Sequence, residues 1–362
     1  MNYSESAHRK YATPWIKGYN AAKAEFSGTE ESIKRLLEEN RLAKEEAQRE
    51  KIKAQTEKLE YNRWQRELAR DELIMEKIEQ SIHELNSFDV PDEIEVTSTK
   101  RSACLMFGDC HYGAVVKIKG LYGEILNEYN PEIFEQRMWQ LYYRTLEIIE
   151  REGLEELHVY DLGDSIDGLL RVSQLTTLRY GVIDSALRYA EFLSTWLNEL
   201  SRHVVVKFQM VKDSNHSQLR LCGQPKNAFK EENMSKVIIA FVKERLKENP
   251  NFELIQNPTG LIYDVVCSYS ILGIHGEEKN MEKALNDFSS IYDVKINYLV
   301  GGHIHHRKSE ESGFDAEVIN IPSIMGVNDY SLSIHKVSNA GAKLVCLETG
   351  QGITTEYRIK LQ

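Results

Sequence analysis

Charged and polar residues dominate the first 85 positions of the chain, and the few apolar positions recur in steps of three and four residues. Such spacing is typical of helices that bury one narrow stripe. Gly28 is predicted to end a short first helix, and Thr29 to begin a long second one. The apolar stripe of the second helix consists of Tyr61, Trp64, Leu68, Met75, Ile78, Ile82 and Leu85.

This pattern predicts a helical arm over residues 1–86. Three roles remain open for its stripe: self-association as a coiled coil, docking on the rest of the chain, or contact with nucleic acid. The arm mixes both charges, and phosphate binding relies on clustered lysine and arginine, so the third role is disfavoured. We expect a homo-oligomer, namely a dimer, that forms through the arm.

A linker with Pro91 and a run of acids is predicted over residues 87–101, and a domain in which strands alternate with amphipathic helices over residues 102–362. The predicted helices are Pro131–Glu152, Leu178–Leu200 and Ala228–Leu246. The predicted strands are Ser102–Phe107, Leu157–Leu162, His203–Val211, Leu261–Ser268, Tyr269–Ile274 and Asn297–Val300, followed by Val318–Ile321, Lys343–Leu347 and Thr355–Ile359. This order favours an α/β fold.

The composition narrows the class of protein. The chain has 362 residues and 41% hydrophobic content, which is enough for a sizeable core. No segment approaches the roughly 20 apolar residues that a membrane span needs, so we expect a cytoplasmic protein without membrane contact. The five cysteines form no CxxC pair, which argues against disulfides and cysteine zinc sites. A net charge of −11 excludes a general coat for nucleic acid but leaves room for a local basic patch.

Candidate ligands follow five of the predicted strands. Each fragment by itself fits an ordinary polar turn, but the carboxyl ends of parallel strands share one edge of a sheet, so their side chains meet. Carboxylate, amide and imidazole groups are ligands for divalent cations. The fragments are Asp109-Cys110-His111, Gly163-Asp164-Ser165-Ile166-Asp167-Gly168, Asn215-His216, His275-Gly276 and Gly302-His303-Ile304-His305.

This ordered series resembles the calcineurin-like metallophosphoesterase superfamily over Ser102–Gln362. The resemblance implies a two-sheet α/β sandwich flanked by helices, with a binuclear metal centre at one edge. It places Asp109, His111 and His305 on the first metal, and Asn215, His275 and His303 on the second. Asp164 would bridge the two ions, which lower the pKa of a shared water that attacks phosphorus. His216 would assist the leaving group, and Asp167 would orient His216.

Three departures from the family pattern bear on the substrate. Ser214 and Ser217 stand where the family has glycine and an acid. Asp213-Ser214 replaces the arginine of protein phosphatases, which points to a phosphodiester. Within the superfamily the chain is similar to the SbcD-type nuclease branch and to metallophosphoesterases of phages, although that branch often has histidine where this chain has Asp167. The resemblance therefore implies a DNA nuclease that uses two manganese ions.

Other interpretations remain open. Iron, zinc, nickel or cobalt would also suit the ligand set. A phosphodiesterase or phosphatase for a small nucleotide is the alternative within the enzyme class, and a non-catalytic assembly protein is the alternative outside it. Tyr112 and Tyr180 could stack on a base or simply pack in the core. Basic residues that could contact phosphates near the site are Arg171, Arg179, Arg220, Lys226, Arg307 and Lys308.

Overall fold

The structure is a computed structural model and describes residues 14–22, 30–168, 178–218, 233–333 and 335–362. The chain divides into two compact units, Met1–Ile74 and Met75–Gln362. Among the described helices, none combines the length and the apolar character that a membrane span requires.

The helices of the arm are α1, over residues 14–22, and α2, over Glu30–His83. The 54 residues of α2 are rich in good helix formers, and charged pairs one turn apart, such as Arg41 with Glu38 and Glu45, add support. The predicted boundary residues Gly28 and Thr29 lie outside the described part. Of the predicted stripe, Tyr61 is exposed, whereas Ile78 is buried in the second unit. The side chains of Trp64, Leu68 and Met75 are not described.

The second unit contains two sheets and a hairpin. Its strands are β1 (Arg101–Phe107), β2 (Val116–Lys119), β3 (Ile125–Tyr129), β4 (Glu156–Asp161), β5 (Val205–Met210), β6 (Phe252–Leu254), β7 (Ile262–Val266), β8 (Tyr269–Ile274), β9 (Tyr298–Gly301), β10 (Lys308–Gly313), β11 (Ala316–Asn320), β12 (Gly341–Glu348) and β13 (Gly352–Lys360). The helices are α3 (Pro131–Glu152), α4 (Val182–Leu200), α5 (Met234–Arg245), α6 (Met281–Tyr292) and α7 (Asp329–Ser333).

The six-stranded sheet has the order β13-β12-β1-β4-β5-β6, and β1, β4, β5 and β6 run parallel. The five-stranded sheet has the order β10-β11-β9-β8-β7, with β8, β9 and β11 parallel. Among the described strands, β2 and β3 pair with each other alone. The predicted fold class, a two-sheet α/β domain preceded by a long helical arm, is confirmed.

The two sheets pack face to face. Their shared core includes Met106 and Tyr160 from the first sheet, and Val300 and Ile319 from the second. Helix α4 covers the outer face of the first sheet, where the Trp196 and Phe107 rings lie 6.1 Å apart. Helix α6 covers the outer face of the second sheet. The central strands β1, β4, β8 and β9 are therefore buried on both faces, which explains why they are apolar runs, whereas the outer strand β13 alternates between buried and more exposed residues.

The predicted helix Pro131–Glu152 is confirmed at both ends. The Asn130 side chain accepts a hydrogen bond from the Ile133 amide, Pro131 occupies the first turn, and Gly153 ends the helix in the left-handed conformation. These are the capping residues that favour a helix start and stop. Strand β8 also has its predicted bounds.

Other elements differ from the prediction. Helix α4 begins at Val182 rather than Leu178, because Leu178 forms a β-bridge with Ala114 and Gly181 is the N-cap. Residues 228–232 of the predicted third helix lie outside the described part, and α5 begins at Met234. The prediction lacks the hairpin β2-β3, the short strand β6, strand β10 and helices α6 and α7. Strand β10 and helix α7 have few apolar positions, whereas α6 has an amphipathic pattern that the prediction missed.

A buried polar cluster joins the two sheets away from the predicted ligands. Asp264 on β7 accepts hydrogen bonds from the Tyr160 hydroxyl (2.9 Å) and the Gln209 amide (2.8 Å) of the opposite sheet. The His158 ring lies between Asp264 (2.7 Å) and Glu156 (3.0 Å). Burial opposes charge on His158, but these carboxylates raise its pKa above 6.5, and the Asp264 pKa is held below its ordinary value.

This cluster predicts how stability depends on pH. His158 binds its proton more tightly in the folded protein, so its contribution is fully present below about pH 6.5 and is lost as the pH rises through its folded pKa. We expect the melting temperature of the second unit to fall over that range. The fall should be smaller in His158→Gln, which is also less stable because Asp264 loses its partner. Thermal melts between pH 5.5 and 9 measure both effects, with His203→Gln as control; equal slopes in all three proteins would contradict the prediction.

Candidate metal centre

The candidate ligands lie at one edge of the sandwich, because five parallel strands end there. The loops after β1, β4 and β5 carry Asp109, Asp164 and Asn215 from the six-stranded sheet, and the loops after β8 and β9 carry histidines from the other sheet. The first two loops remain paired beyond their strands, since the His111 amide donates to Asp164 O (2.8 Å) and the Tyr112 amide to Ser165 O (2.9 Å). Every residue predicted for the site belongs to this edge.

The first cluster consists of Asp109, His111 and His305, all buried, and their ligand atoms lie within 4.8 Å of one another. Nε2 of His111 and Nε2 of His305 are 3.3 Å apart, and the latter is 3.5 Å from Oδ1 of Asp109. The Asp109 carboxylate also accepts the backbone N–H of His303 at 2.9 Å. Asp109 thus connects the first sheet to the histidine loop of the second.

The second cluster consists of Asp164, His275 and His303, with Asn215 beside them. Nε2 of His275 lies 3.1 Å from Oδ2 of Asp164, 3.1 Å from the Asn215 amide and 3.2 Å from Nδ1 of His303. Oδ2 of Asp164 is also 3.9 Å from Nε2 of His111, a residue of the first cluster. Asp164 therefore lies between the two clusters, as its predicted bridging role requires.

His216 and Asp167 form a separate pair next to the clusters. Nδ1 of His216 lies 2.8 Å from Oδ1 of Asp167, and Nε2 of His216 lies 4.0 Å from Oδ2 of Asp164. Burial opposes charge on His216, but Asp164 and Asp167 together raise its pKa. Asp167 also lies 3.6 Å from Nδ1 of His111. The Asp167 carboxylate thus orients both His111, a candidate metal ligand, and His216, the candidate general acid.

The donor set fits divalent cations, because buried carboxylate and imidazole groups converge with their ligand atoms within 4.8 Å of one another. Nδ1 of His275 donates to Leu162 O at 3.0 Å, so the neutral ring would direct the Nε2 electron pair toward a cation beside Asp164. The Asn215 amide nitrogen donates to Oδ2 of Asp164 at 2.8 Å, and a rotation of this amide would direct its oxygen to a cation instead. Nitrogen and oxygen donors without thiolate suit manganese, iron, zinc, nickel or cobalt.

The pKa values of His275 and His303 also indicate where the site favours a positive charge. Burial would lower the pKa of His275, yet the Asp164 and Asp109 carboxylates raise it to about 9. His303 is half-buried beside the His275 ring, and partial burial together with that neighbouring ring lowers its pKa to about 4. The position at His275 attracts a positive charge, whereas His303 stays a neutral ligand.

The backbone at the site is held in an unusual conformation. Asp109, His111, Asp164, His303 and His305 all have positive φ, between 43° and 62°. Non-glycine residues in this region carry a conformational cost of about 1–3 kcal/mol each and cluster at functional sites. Strand pairing offsets that cost, and the turned backbone directs the side chains inward.

Two glycines allow the close approach of the loops. A Cβ on Gly163, at φ +94°, would lie 2.8 Å from Cβ of Ser214, and one on Gly302 would lie 2.8 Å from Oδ2 of Asp109. Real Cβ atoms do not approach that closely, so both positions require glycine.

The sequence analysis did not identify Asp161 and Tyr189, which hold the turn that carries Asp164 through hydrogen bonds. The buried Asp161 carboxylate accepts hydrogen bonds from the Gly163 amide (3.0 Å), the Ser165 hydroxyl (2.8 Å) and the Tyr189 hydroxyl of α4 (2.8 Å). Burial raises the pKa of Asp161 to about 6. The only signal in the sequence was an acid at the end of an apolar strand.

Ser214 and Ser217 take up the roles left by the family's glycine and acid. The Asp164 amide donates to Oγ of Ser214 at 2.9 Å, and the Ser217 hydroxyl donates to Ser214 O at 2.9 Å. The loop is therefore internally hydrogen-bonded, and the departure from the family pattern leaves the His216–Asp167 pair intact.

The predicted phosphate-contacting residues are only partly described. Arg171, Arg220 and Lys226 lie outside the described part of the chain. Arg179 and Lys308 are exposed, whereas Arg307 is half-buried. Tyr112 is buried among Phe134, Tyr180 and Tyr189, which favours packing over base stacking. Cys104, Cys110, Cys267 and Cys346 are free and buried, as expected for structural thiols.

The geometry defines a two-sheet α/β protein with a candidate binuclear metal centre, and comparisons with known proteins identify its family. The chain is 33% identical over 361 residues to the SPbeta prophage-derived protein YonJ of Bacillus subtilis (strain 168), over 98% of this chain and 87% of that protein. A model of the YonJ coiled-coil domain matches residues 43–85. The chain belongs to the YonJ family.

Solved structures similar to this chain include calcineurin-like metallophosphoesterases. A dimetal phosphatase from Danio rerio is 10% identical with a TM-score of 0.36, and covers 72% of this chain and 99% of its own. Zinc-complexed Vps29 from Entamoeba histolytica is 13% identical with a TM-score of 0.33, at the same coverage. A metallophosphoesterase from Sphaerobacter thermophilus is 11% identical with a TM-score of 0.31, and covers 72% of this chain and 89% of its own.

The support beneath Asp164 gives a prediction about metal affinity. In Asp161→Asn an amide nitrogen faces the Ser165 or Tyr189 hydroxyl, so the turn that carries Asp164 loses a fixed position. We expect manganese to bind about 10- to 100-fold more weakly, the usual effect of removing a group that orients a ligand. Isothermal titration calorimetry measures the affinity. The exposed Asp184→Asn, on the same helix as Tyr189, is the control; equal affinities in both variants would contradict the prediction.

Proposed function

We propose that this protein is a phosphodiester hydrolase with two divalent metal ions, and that its substrate is DNA. The observation that carries the proposal is the position of Asp164 between two clusters of nitrogen and oxygen donors, with His216 beside it. A structural metal site has a closed ligand shell, whereas paired clusters next to a partly exposed histidine suit catalysis.

The residues of the site have two proposed roles in the reaction, namely metal binding and proton transfer. When bound, two cations supply Lewis-acid activation of water and neutralise phosphoryl oxygens. Asp109, His111 and His305 would hold the first, Asn215, His275 and His303 the second, and Asp164 would contact both. His216 holds a proton on Nε2, the ring nitrogen nearer Asp164, and delivers it to the leaving oxygen. Asp167 fixes the ring orientation through Nδ1.

The DNA specificity rests on sequence features. Asp213-Ser214 replaces the arginine of protein phosphatases, and the ligand series is similar to that of the SbcD-type nuclease branch. Manganese is the proposed ion on the same ground. Hydrolysis of bis-p-nitrophenyl phosphate, single- and double-stranded DNA and a cyclic dinucleotide by the manganese-loaded protein tests the assignment. Turnover of only the small substrates would identify a nucleotide phosphodiesterase, and no turnover of any substrate would favour an assembly protein.

The proposed acid gives a quantitative prediction. His216→Gln should lower kcat for DNA by about 10²- to 10⁴-fold, the usual contribution of a general acid, because the leaving oxygen loses its proton source. Manganese content should stay at the wild-type level, since His216 is not a proposed ligand. Steady-state kinetics and metal analysis give both numbers.

Two variants serve as controls for this experiment. His203→Gln replaces a histidine that lies against Tyr142, away from the site, and should retain full activity. Asp164→Asn should lose both activity and metal. A wild-type kcat in His216→Gln would remove the proposed role.

We also assign self-association to the arm. Exposed apolar side chains lie along α2, including Ile52 and Leu59, which are seven residues apart and therefore on one face. Both fall within the segment that matches the YonJ coiled-coil domain. A helix with this stripe gains stability when a second helix covers it.

The arm predicts a change of oligomeric state. Ile52→Lys/Leu59→Lys should convert a dimer to a monomer, because two charges would enter the seam. Sedimentation equilibrium measures the mass, and Glu50→Lys/Glu57→Lys, with an equal number of added lysines on the same helix, is the control. A monomeric wild type, or a dimer that survives the double substitution, would rule out this assignment.

A further inference from the structure

A cavity of about 580 Å³ lies in the second unit, next to the loop that carries Asn215. One wall is α5, which presents Lys236, Ile239, Ala240 and Lys243. These positions are three or four residues apart and so lie on one helix face. Its volume is within the range of small-molecule and cofactor sites. The metal centre uses none of these residues.

The opposite wall is a pre-formed loop between β6 and β7. The Asn257 side chain accepts hydrogen bonds from the Thr259 amide (3.0 Å) and hydroxyl (2.7 Å). The Lys212 amide donates to Gly260 O at 2.8 Å, which fixes the loop against the end of β5. The cavity therefore needs little reorganisation to accept a ligand.

The charge of the cavity favours an anion. Its lining contains Lys212, Lys236 and Lys243 against Glu79 and Glu244. Glu244 is already paired with Lys247 at 2.6 Å. Within the described part of the chain, neither Lys212 nor Lys243 forms an ion pair. The Lys212 and Lys243 side chains can therefore donate charge-assisted hydrogen bonds to a phosphate in the cavity.

The distance to the metal centre suits a nucleic-acid strand. Lys212 is three residues before Asn215, so their Cα atoms lie at most about 11 Å apart. A phosphate beside Lys212 and one at the metal centre would therefore be separated by only a few nucleotides of one strand. The cavity shares no residue with the metal centre, so a ligand that occupies both must carry more than one phosphate.

We propose that this lysine cavity binds a backbone phosphate of the DNA strand whose scissile phosphate lies at the metal centre. The proposal rests on the function assigned above and extends it, because it makes the substrate a polymer rather than a free nucleotide. The cavity recognises the phosphate charge without reading the bases.

The test is the binding of a fluorescein-labelled single-stranded thymidine 12-mer to the full-length protein in EDTA, where no hydrolysis occurs. Fluorescence anisotropy at 50 to 200 mM salt gives Kd and its salt dependence. Lys236→Ala/Lys243→Ala should weaken binding and reduce the slope of log Kd against log salt by about 1, because both lysines would contact the same phosphate. Glu79→Gln should act in the opposite direction and tighten binding.

The matched control is Lys283→Ala/Lys295→Ala, which removes two exposed lysines paired with Asp287 and Asp315 and should leave the slope unchanged. An equal loss in the control and the cavity variant would show general charge attraction and overturn the proposal. Thymidine monophosphate should not compete with the 12-mer at concentrations near the Kd of the 12-mer. If thymidine monophosphate competes, and competes only when the cavity lysines are present, the cavity is a site for free nucleotides and the strand assignment is wrong.

Hydrolysis by the manganese-loaded protein separates this proposal from the assigned function. DNA cleavage with normal salt dependence in Lys236→Ala/Lys243→Ala would refute the cavity assignment while the function stands. Lysine-dependent binding of the 12-mer without cleavage of any substrate would keep the anion site and refute the hydrolase.

Discussion

The structure depends on the close approach of buried ionisable groups at one edge of the sandwich. Carboxylates and imidazole rings from both sheets bring their ligand atoms within 4.8 Å of one another there. Burying such groups away from water is costly unless opposite charge lies among them. Cations held between them would supply that charge, so a geometry that is costly in the free protein favours metal binding.

The rest of the second unit serves to hold these groups in place. Strand pairing continues beyond β1 and β4 into the ligand loops, and Asp161, Ser165 and Tyr189 fix the Asp164 turn from below. On β7, Asp264 accepts hydrogen bonds from Tyr160 and Gln209 of the facing sheet. The two sheets are therefore connected by polar contacts as well as by an apolar core, which limits the sliding that would separate the clusters.

Much of this fold could be predicted from the sequence, because its signals are local. Asn130, Pro131 and Gly153 mark the ends of α3, and apolar runs followed by glycine and polar residues mark the strand ends. The division of the ligands between two metals came from family resemblance, and the structure brings the same residues together in two groups. What could not be predicted depends on distant partners: Tyr189 lies 28 residues from Asp161. The positive φ values and the exposed hairpin β2-β3 also produce no periodic pattern of apolar residues in the sequence.

The connection between Asp109 and the His303 amide has a consequence for biosynthesis. These residues are separated by 194 positions, so the contact cannot form until the ribosome has released almost the whole domain. Domains fold as units during synthesis. A nascent chain that ends before His303 completes neither the first nor the second cluster. The candidate metal centre is thus assembled only in nearly finished molecules, and a truncated product would lack it.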